Sequence, residues 1–367
     1  MAGSVMGKNF QISTFGESHG PALGVIIDGC PAGIGLTSED IQKDLDKRKP
    51  GTSQFTTSRK EGDKVEILSG VLDGVTTGTP ISLLIRNKDQ RSKDYSNLEN
   101  IYRPGHADFT YDKKYGFRDI RGGGRSSGRE TAARVAAGTV AKKILDELDV
   151  SILTYTRSIG DVEIDYDRFD KSFINENPFS MPDPKASKKA ANLITKAKKD
   201  QDSLGGVIEC VVSGMPAGVG EPVFERLDAM LAASVMSIGA TKGFEVGSGF
   251  QAAKMKGSDH NDNWYYDEDN NIKKHTNHAG GILGGISDGS DIILRTAFKP
   301  TPSIAKEQTT ITKGGQNAEI TIEGRHDPII VPRAVIVVES MVAITLADYI
   351  YSRIFSDINM IRKAYSK

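Results

Sequence analysis

An internal repeat constrains the fold of this chain more than any other feature. The octapeptides DGCPAGIG (28–35) and SGMPAGVG (213–220) align without a gap and lie about half of the chain apart. Each follows a β-rich run, 23–28 in the first case and 207–212 in the second, and each precedes a helix-like segment. A motif repeated between the same two kinds of element indicates duplication. We therefore predict two similar halves that share one core.

Hydrophobic spacing predicts further elements in both halves. Helices are expected from Thr37, from Glu225 and from Pro332, and a lysine-rich exposed helix at 185–199. Further strand candidates are 65–72, 80–85, 152–158, 292–298 and 318–322. The polar, aromatic-bearing segment 256–276 is predicted to be a loop over a ligand.

The segment FRDIRGGGRSSGRETAARVAAG (117–138) predicts an anion site. Glycines let backbone N–H groups converge on a ligand, and arginine forks match phosphate and carboxylate geometry. Ser127 and Glu130 are spaced as a capping box, which would begin a helix with its N-terminus at the anion.

A disordered RGG-type nucleic-acid binder is the alternative interpretation of this segment. The chain has a net charge of −1, whereas nonspecific nucleic-acid binders are usually basic. The Arg-Gly run also occurs once and leads into an amphipathic pattern. These features favour an ordered site for a small anion.

Four of the six histidines lie in loops flanked by glycine or proline. Such loops offer little core for an imidazole to pack in, and histidine exchanges protons near neutral pH. We expect at least two of them to be catalytic. The four are His19, His106, His278 and His326.

Two further segments suggest ligand contacts. Lys299-Pro-Thr-Pro-Ser303 follows a predicted strand and offers an ammonium and hydroxyls to a phosphate, although a simple strand-ending turn explains it equally well. The glycine-rich run 280–285 could let a flat ring approach the backbone. It lacks the acidic residue of a dinucleotide fingerprint, and no phosphate-binding P-loop motif occurs.

The remaining features favour a cytoplasmic protein. Cys30 and Cys210 have neither metal-ligand nor disulfide-framework spacing, so no metal site is expected. No secretory signal is recognised at the N-terminus, and no apolar run predicts a membrane span.

Taken together, the motifs resemble the chorismate synthase family over nearly the whole chain. They occur in the family's order: GESHGPALGVIIDGCPAG (16–33), DLDKRKPGTS (44–53), DQRSKDY (89–95), RPGHAD (103–108), RGGGRSSGRETA (121–132), HAGGILGGIS (278–287), KPTPS (299–303) and GRHDP (324–328). The resemblance implies anti 1,4-elimination of phosphate from 5-enolpyruvylshikimate 3-phosphate to give chorismate. It also implies a requirement for reduced FMN (FMNH2) without net redox change.

The resemblance further implies an α+β fold, a β-α-β sandwich with an internal pseudo-twofold repeat. Residues 1–367 would then form a single catalytic domain with halves of about 1–200 and 201–367, assembled as a homotetramer. Some members of the family reduce their own flavin with NADPH, but no separate nicotinamide motif is recognised here.

Site residues are implied motif by motif. His19 would protonate the departing phosphate, His106 would protonate or hold the reduced flavin, and Asp327 with Ser127 would assist proton handling at the flavin. Substrate would be bound by Arg48, Gln54, Arg103, Arg129 and Arg325. FMN would lie along Arg125, Ser126, Ser127, Gly239, Ala240, Gly284, Lys299, Pro300, Thr301, Pro302, Ser303 and Arg325.

Two positions depart from the family's usual pattern. Gln54 stands where an arginine is usual, which removes one positive substrate contact unless a neighbour such as Arg59 replaces it. Gly239 stands where asparagine is common, so a side-chain contact with flavin is lost while the backbone contact is kept.

Overall fold

The computed structural model describes residues 3–51, 55, 62–87, 99–120, 122–322 and 327–366. Helices and strands are mixed throughout this part of the chain, as expected for an α+β fold. The helices are α1 (Ser38–Arg48), α2 (Asp108–Tyr115), α3 (Thr131–Asp146), α4 (Pro184–Lys199), α5 (Leu227–Met236), α6 (Gly257–His260), α7 (Val331–Ser356) and α8 (Ile358–Tyr365). The strands are β1 (Val5–Met6), β2 (Gln11–Gly16), β3 (Ala22–Asp28), β4 (Val65–Ser69), β5 (Val71–Leu72), β6 (Val75–Thr76), β7 (Ile81–Arg86), β8 (Ser151–Ile159), β9 (Val162–Glu163), β10 (Gly206–Ser213), β11 (Thr241–Val246), β12 (Trp264–Tyr266), β13 (Ile272–Lys274), β14 (Ile282–Leu283), β15 (Ile286–Ser287), β16 (Ile292–Phe298), β17 (Gln308–Ile311) and β18 (Asn317–Ile320).

Two five-stranded antiparallel sheets form the framework. The first has the order β1-β2-β3-β7-β4, and the second has the order β11-β16-β10-β8-β9. The strands that precede the two repeated octapeptides, β3 and β10, are each the central strand of a sheet. The other strands form short two-stranded hairpins.

Helices from distant parts of the sequence form the core between these sheets. α3 contacts β2, β3 and β7 of the first sheet, α7 contacts β8 and β10 of the second, and α3 and α7 pack on each other. The two helices approach closely at Gly138, where a Cβ would lie 2.3 Å from the Cβ of Ser340. Many of the buried positions of α3 are alanine. Such small side chains let the backbones of packed helices come close.

The repeated octapeptides form turns with matching hydrogen bonds. In the first turn, the Thr76 hydroxyl donates to the Pro31 carbonyl (2.6 Å) and accepts from the backbone N–H of residue 34 (3.0 Å). In the second turn, the Ser287 hydroxyl donates to the Pro216 carbonyl (2.6 Å) and accepts from the backbone N–H of residue 219 (2.9 Å). Both turns thus depend on a buried hydroxyl supplied by a later strand.

Several predicted helix boundaries are confirmed, and one is wrong. Thr37 caps α1 in a capping box with Asp40, and α4 and α7 lie where helices were expected. The capping box at Ser127 and Glu130 does not form. Ser127 instead caps a 3-10 turn by accepting from the backbone N–H of Arg129 (3.3 Å), and α3 begins only after Glu130, which pairs with Arg134.

Helix α7 differs from the other helices in its length and apolar character. Among the described residues it alone is long and apolar enough to cross a membrane, although most of its apolar stretch is buried inside the protein. Its two interior acids have partners. Glu339 pairs with Lys142 of α3 (2.6 Å), and Asp348 accepts from the backbone N–H groups of residues 8, 9 and 10.

Candidate active site

The glycine run 122–124 forms a wall against which two histidines pack. All three glycines have positive φ, from 53° to 88°, which other residues rarely adopt. A Cβ at Gly122 would lie 2.2 Å from Cε1 of His19, and a Cβ at Gly123 would lie 3.5 Å from Cε1 of His106. The run therefore brings together two histidines that stand on separate loops.

A buried carboxylate organises the loop that carries His106. Asp108, the first residue of α2, contacts Arg103 through both oxygens at 2.8 Å, and its Oδ1 lies 2.9 Å from His106 Nδ1. Arg118 Nη1 lies 3.0 Å from the same oxygen. Burial alone would raise the pKa of Asp108, but hydrogen bonds from Arg103 and His106 outweigh it and hold that pKa well below its usual range.

A second buried carboxylate joins two of the predicted substrate arginines. Asp63 contacts Arg48 and also Arg129, the latter at 2.6 Å. Arg129 Nε donates to Asn87 Oδ1, and the Asn87 amide donates to the carbonyls of Glu17 (2.9 Å) and Gly20 (2.7 Å). The arginines are thereby fixed to the loop that carries His19.

Asp327 reaches the same group of residues through an arginine. Arg333 in the first turn of α7 pairs with Asp327 and donates from Nε to the backbone carbonyl of Arg48 (3.0 Å). Arg48 ends α1, and Arg129 shortly precedes α3. Ends of three helices therefore meet at this site.

The segment 299–303 lies against the His106 loop. Lys299 Nζ donates to the Gly105 carbonyl (2.7 Å), and Lys299 N–H donates to the Ala240 carbonyl (2.9 Å). Burial, and then repulsion from Lys242, lower the pKa of Lys299, which an anionic ligand would offset. The segment therefore links the His106 loop to Ala240.

Two features of this region fit a bound flavin phosphate and ring. Thr301 Oγ1 is buried and has no hydrogen-bond partner among the described residues. Gly239 has no described atom within 4 Å of where a Cβ would stand, which leaves room along its backbone. A ligand that brings hydrogen-bonding groups to Thr301 would satisfy an otherwise costly buried hydroxyl.

The other residues that were predicted to contact flavin do not all lie in this region. Arg125 donates to Thr14 Oγ1 (2.7 Å) beside the His19 loop, and the Ser126 hydroxyl donates to the Gly123 carbonyl (2.7 Å). Gly284 lies in the β14–β15 turn, and no described contact joins it to the other site residues. Gln54 and Arg325 lie outside the described residues, as do Arg59, Arg121 and His326.

Sequence reasoning missed the residues that hold the site together. Asp63, Asn87 and Arg333 lie in no motif that the sequence singled out, and Asp108 was noticed only as a neighbour of His106. The first three contact residues that are distant in sequence, so no local sequence pattern marks them. The clustered arginines give the one sequence signal for such residues, because buried arginines require carboxylate partners.

The site suits acid–base chemistry on a small molecule that carries several negative charges. Two imidazoles can exchange protons, and arginines and a lysine face the same region. Within the described residues, no group of three histidine, cysteine, aspartate or glutamate side chains is arranged to hold a metal ion.

The comparisons with known proteins agree on one family. The family model for chorismate synthase matches residues 10–351. A chorismate synthase of Lachnoclostridium phytofermentans is 57% identical over 367 residues, covering 100% of both chains. That of Rippkaea orientalis is 51% identical over 351 residues, covering 95% of this chain and 97% of the relative. A crystal structure of chorismate synthase superposes with a TM-score of 0.77 at 32% identity, covering 98% of this chain and 96% of that one.

The fold, the site and these relatives define a carbon–oxygen lyase that acts on a phosphorylated small molecule. The chain belongs to the chorismate synthase family. The family's reaction removes phosphate from 5-enolpyruvylshikimate 3-phosphate and gives chorismate, the last step of the shikimate pathway to aromatic amino acids. The family uses reduced flavin.

Proposed function

We propose that this chain carries out its family's elimination with reduced FMN at the site built around Gly122–Gly124, and that His19, His106 and Asp327 handle the protons. The reaction breaks one C–H bond and one C–O bond of the substrate and releases a proton and phosphate. A double bond forms, and the reaction involves no net oxidation. When bound, reduced FMN supplies electron density and a ring nitrogen that can hold a proton.

One observation carries this proposal: both histidines pack on the same glycine wall. His19 faces Gly122 and His106 faces Gly123, so their imidazoles border one ligand space. A wall without side chains lets a ligand approach both rings. Ser18 Oγ lies 3.2 Å from His19 Nδ1 and can fix the orientation of that ring.

His19 is assigned to the phosphate because of its surroundings. Its loop is fixed through Asn87 to Arg129, one of the cations that would bind the substrate's negative charges. A protonated imidazole beside a departing phosphate transfers its proton to the phosphate oxygen. Without such a proton, the leaving group would depart with its full charge.

Arg48, Arg103, Arg129 and Arg325, with Gln54, are assigned to the substrate. The substrate carries two carboxylates and a phosphate, which bears roughly −1.5 to −2 charges at pH 7. Arg48 and Arg129 both contact the carboxylate of Asp63. Guanidinium groups match the geometry of phosphate and carboxylate, which supports assigning both arginines to the substrate.

FMN is assigned to Arg125, Ser126, Ser127, Gly239, Ala240, Gly284, Arg325 and the segment 299–303. The unpartnered Thr301 hydroxyl, the open space beside Gly239 and the ammonium of Lys299 support this assignment. Asp327, with Ser127, would hold a proton near the flavin.

Alanine variants of the two histidines test the proposal. Under anaerobic conditions with dithionite-reduced FMN and substrate, H19A and H106A should form chorismate roughly 10² to 10⁴-fold more slowly than wild type. H275A is the matched control, because His275 is exposed and stacks on Tyr265. Turnover of H19A or H106A close to that of H275A would refute the assigned roles.

The two halves of the chain support a single duplicated domain. The matching turns at 28–35 and 213–220 share proline, positive-φ glycines and a buried hydroxyl partner, and each follows the central strand of a sheet. We infer a pseudo-twofold repeat with halves of about 1–200 and 201–367. The proposal extends to a cytoplasmic homotetramer that acts without nucleic acid, and sedimentation tests the assembly.

A further inference from the structure

Asp108 contacts more functional groups than any other carboxylate described at the site. Its Oδ2 accepts from Arg103 Nε (2.8 Å) and from the Arg103 backbone N–H (3.2 Å). Its Oδ1 lies close to Arg103 Nη2 (2.8 Å), His106 Nδ1 (2.9 Å) and Arg118 Nη1 (3.0 Å). One carboxylate therefore connects a proposed substrate arginine with a proposed catalytic histidine.

This carboxylate is buried and stays ionised. The Asp108 side chain is 4% exposed, as is that of Arg118. Two guanidinium groups face it, and it begins helix α2, where a negative charge is favoured. The cations around it therefore compensate a charge that would otherwise be costly to bury.

The position of Asp108 also determines which edge of the imidazole faces the ligand space. His106 Nδ1 points to Asp108, while Cε1 and Nε2 lie 3.5 and 3.8 Å from where a Cβ of Gly123 would stand. An ionised carboxylate accepts a hydrogen bond, so it favours the tautomer with the proton on Nδ1. In the neutral ring Nε2 is then a proton acceptor at the glycine wall.

A competing contact makes this arrangement testable. Arg103 Nη2 lies 3.1 Å from His106 Nδ1, and an arginine can only donate. If Arg103 controlled the ring, Nδ1 would accept and the proton would be on Nε2. The contact of Nδ1 with Asp108 is the shorter one, and Arg103 Nε and Nη2 already donate to that carboxylate. Both observations favour Asp108 as the partner that sets the tautomer.

We propose that Asp108 is a positioning residue, which keeps His106 protonated at Nδ1 and holds Arg103 beside it so that both face the ligand as one unit. The inference rests on the proposed role of His106. Asp108 does not touch the reacting atoms and acts through these two neighbours.

Ring ¹⁵N chemical shifts of His106 test the tautomer directly. The full-length protein labelled at histidine is measured at a pH well above the usual histidine pKa, and H106A assigns the signals. We expect protonated Nδ1 in wild type and in D112N. Protonated Nε2 in wild type would overturn the inference, and this measurement requires no variant of Asp108 to fold.

Steady-state rates with reduced FMN test the functional consequence. The D108N amide can donate to Nδ1 and favours the wrong tautomer. In the serine-protease triad the corresponding Asp→Asn change costs about 10⁴-fold, so we expect a fall in kcat of roughly 100-fold or more. D112N is the matched control. Asp112 lies one turn further along α2 and contacts Arg118 and Lys313, and no contact described for it involves Arg103 or His106.

A double-mutant cycle separates positioning from a structural role. If Asp108 acts through His106, D108N should cost much less in the H106A background than in wild type. An equal loss in both backgrounds would overturn the inference. Full activity of H106A would instead refute the proposed role of His106. Failure of the inference about Asp108 is therefore distinguishable from failure of the proposed function.

Discussion

Asp63 and Arg129 form a buried ion pair, with 2.6 Å between the carboxylate Oδ1 and the guanidinium Nη1. The other oxygen of Asp63 contacts Arg48, whose side chain is 2% exposed. Burial alone would raise the pKa of Asp63, but the charges of Arg48 and Arg129 lower it. A residue outside every recognised motif thus fixes the spacing of two proposed substrate arginines.

Removing this carboxylate should destabilise the protein strongly. D63A removes the carboxylate that compensates the charge of two buried guanidinium groups, so we expect the free energy of unfolding in urea to fall by about 3–5 kcal/mol. D202A is the control, because Asp202 and Lys306 form an exposed pair expected to contribute about 0–1 kcal/mol. Equal effects of D63A and D202A would show that the Asp63 pairs contribute little to stability.

The two repeated turns should respond alike to loss of their hydroxyls. T76A removes the hydroxyl that contacts the Pro31 carbonyl and the residue 34 N–H, and S287A does the same at Pro216 and residue 219. Each should lower the free energy of unfolding by about 1–3 kcal/mol, while T76S and S287T should largely retain stability. A strong effect at one turn and none at the other would argue against their equivalence.

Asp183 should make stability depend on acid pH. It caps α4 by accepting from the N–H groups of residues 185 and 186, and Arg168 also donates to it. Burial alone would raise its pKa, but the hydrogen bonds from Arg168 and the backbone lower it to about 2.

The ionised form is favoured in the folded protein, so its stabilisation is present above the unfolded pKa of about 3.9 and is lost as pH falls towards 2. D183A should therefore be less stable than wild type by about 1–2 kcal/mol at pH 6, with the difference shrinking between about pH 4 and 2. Urea denaturation at several pH values measures this. A difference that persists unchanged at pH 2 would contradict the assignment.

The two thiols should be unreactive in the native protein. Burial raises the pKa of Cys30 to about 11 and that of Cys210 to about 12, and the thiolate is the reactive form. Ellman's reagent at pH 8 should therefore label both slowly in the native protein and both rapidly in guanidinium. Fast labelling of either thiol without denaturant would contradict their described burial.

Local sequence patterns predicted those helices and strands in which apolar residues are buried and polar residues are exposed. β3 is a nearly continuous apolar run, and β16 alternates between buried and half-buried positions, as expected of strands in the core. Helix α1 is capped by Thr37, the threonine that the sequence indicated. The segment 256–276 was predicted to be a loop, but it contains α6 and the β12–β13 hairpin. Its polar composition concealed the hairpin, because Trp264 and Tyr266 are exposed and leave no alternation of buried and exposed positions.

From the residues alone, the site was predictable where glycine marks it, whereas the assignment of its arginines and Asp327 came from the resemblance to the family. Loops with glycine beside histidine drew attention to His19 and His106, and the structure brings both to one wall. The supporting residues have no such mark: Asn87 follows a strand and Arg333 lies in an apolar helix. These residues support the site through contacts with residues far away in sequence. Hydrophobic periodicity along the chain does not reveal such contacts.

The contact between Gly138 and Ser340 has a consequence for how such a sequence can diverge. At this point the backbone of α3 lies directly against Ser340 of α7, and both helices begin beside the proposed site, one after Arg129 and the other after Asp327. A methyl group at position 138 would force the helices apart roughly 10 Å from the helix start. The packing of these two helices therefore restricts position 138 to glycine, although that position lies away from the proposed site residues.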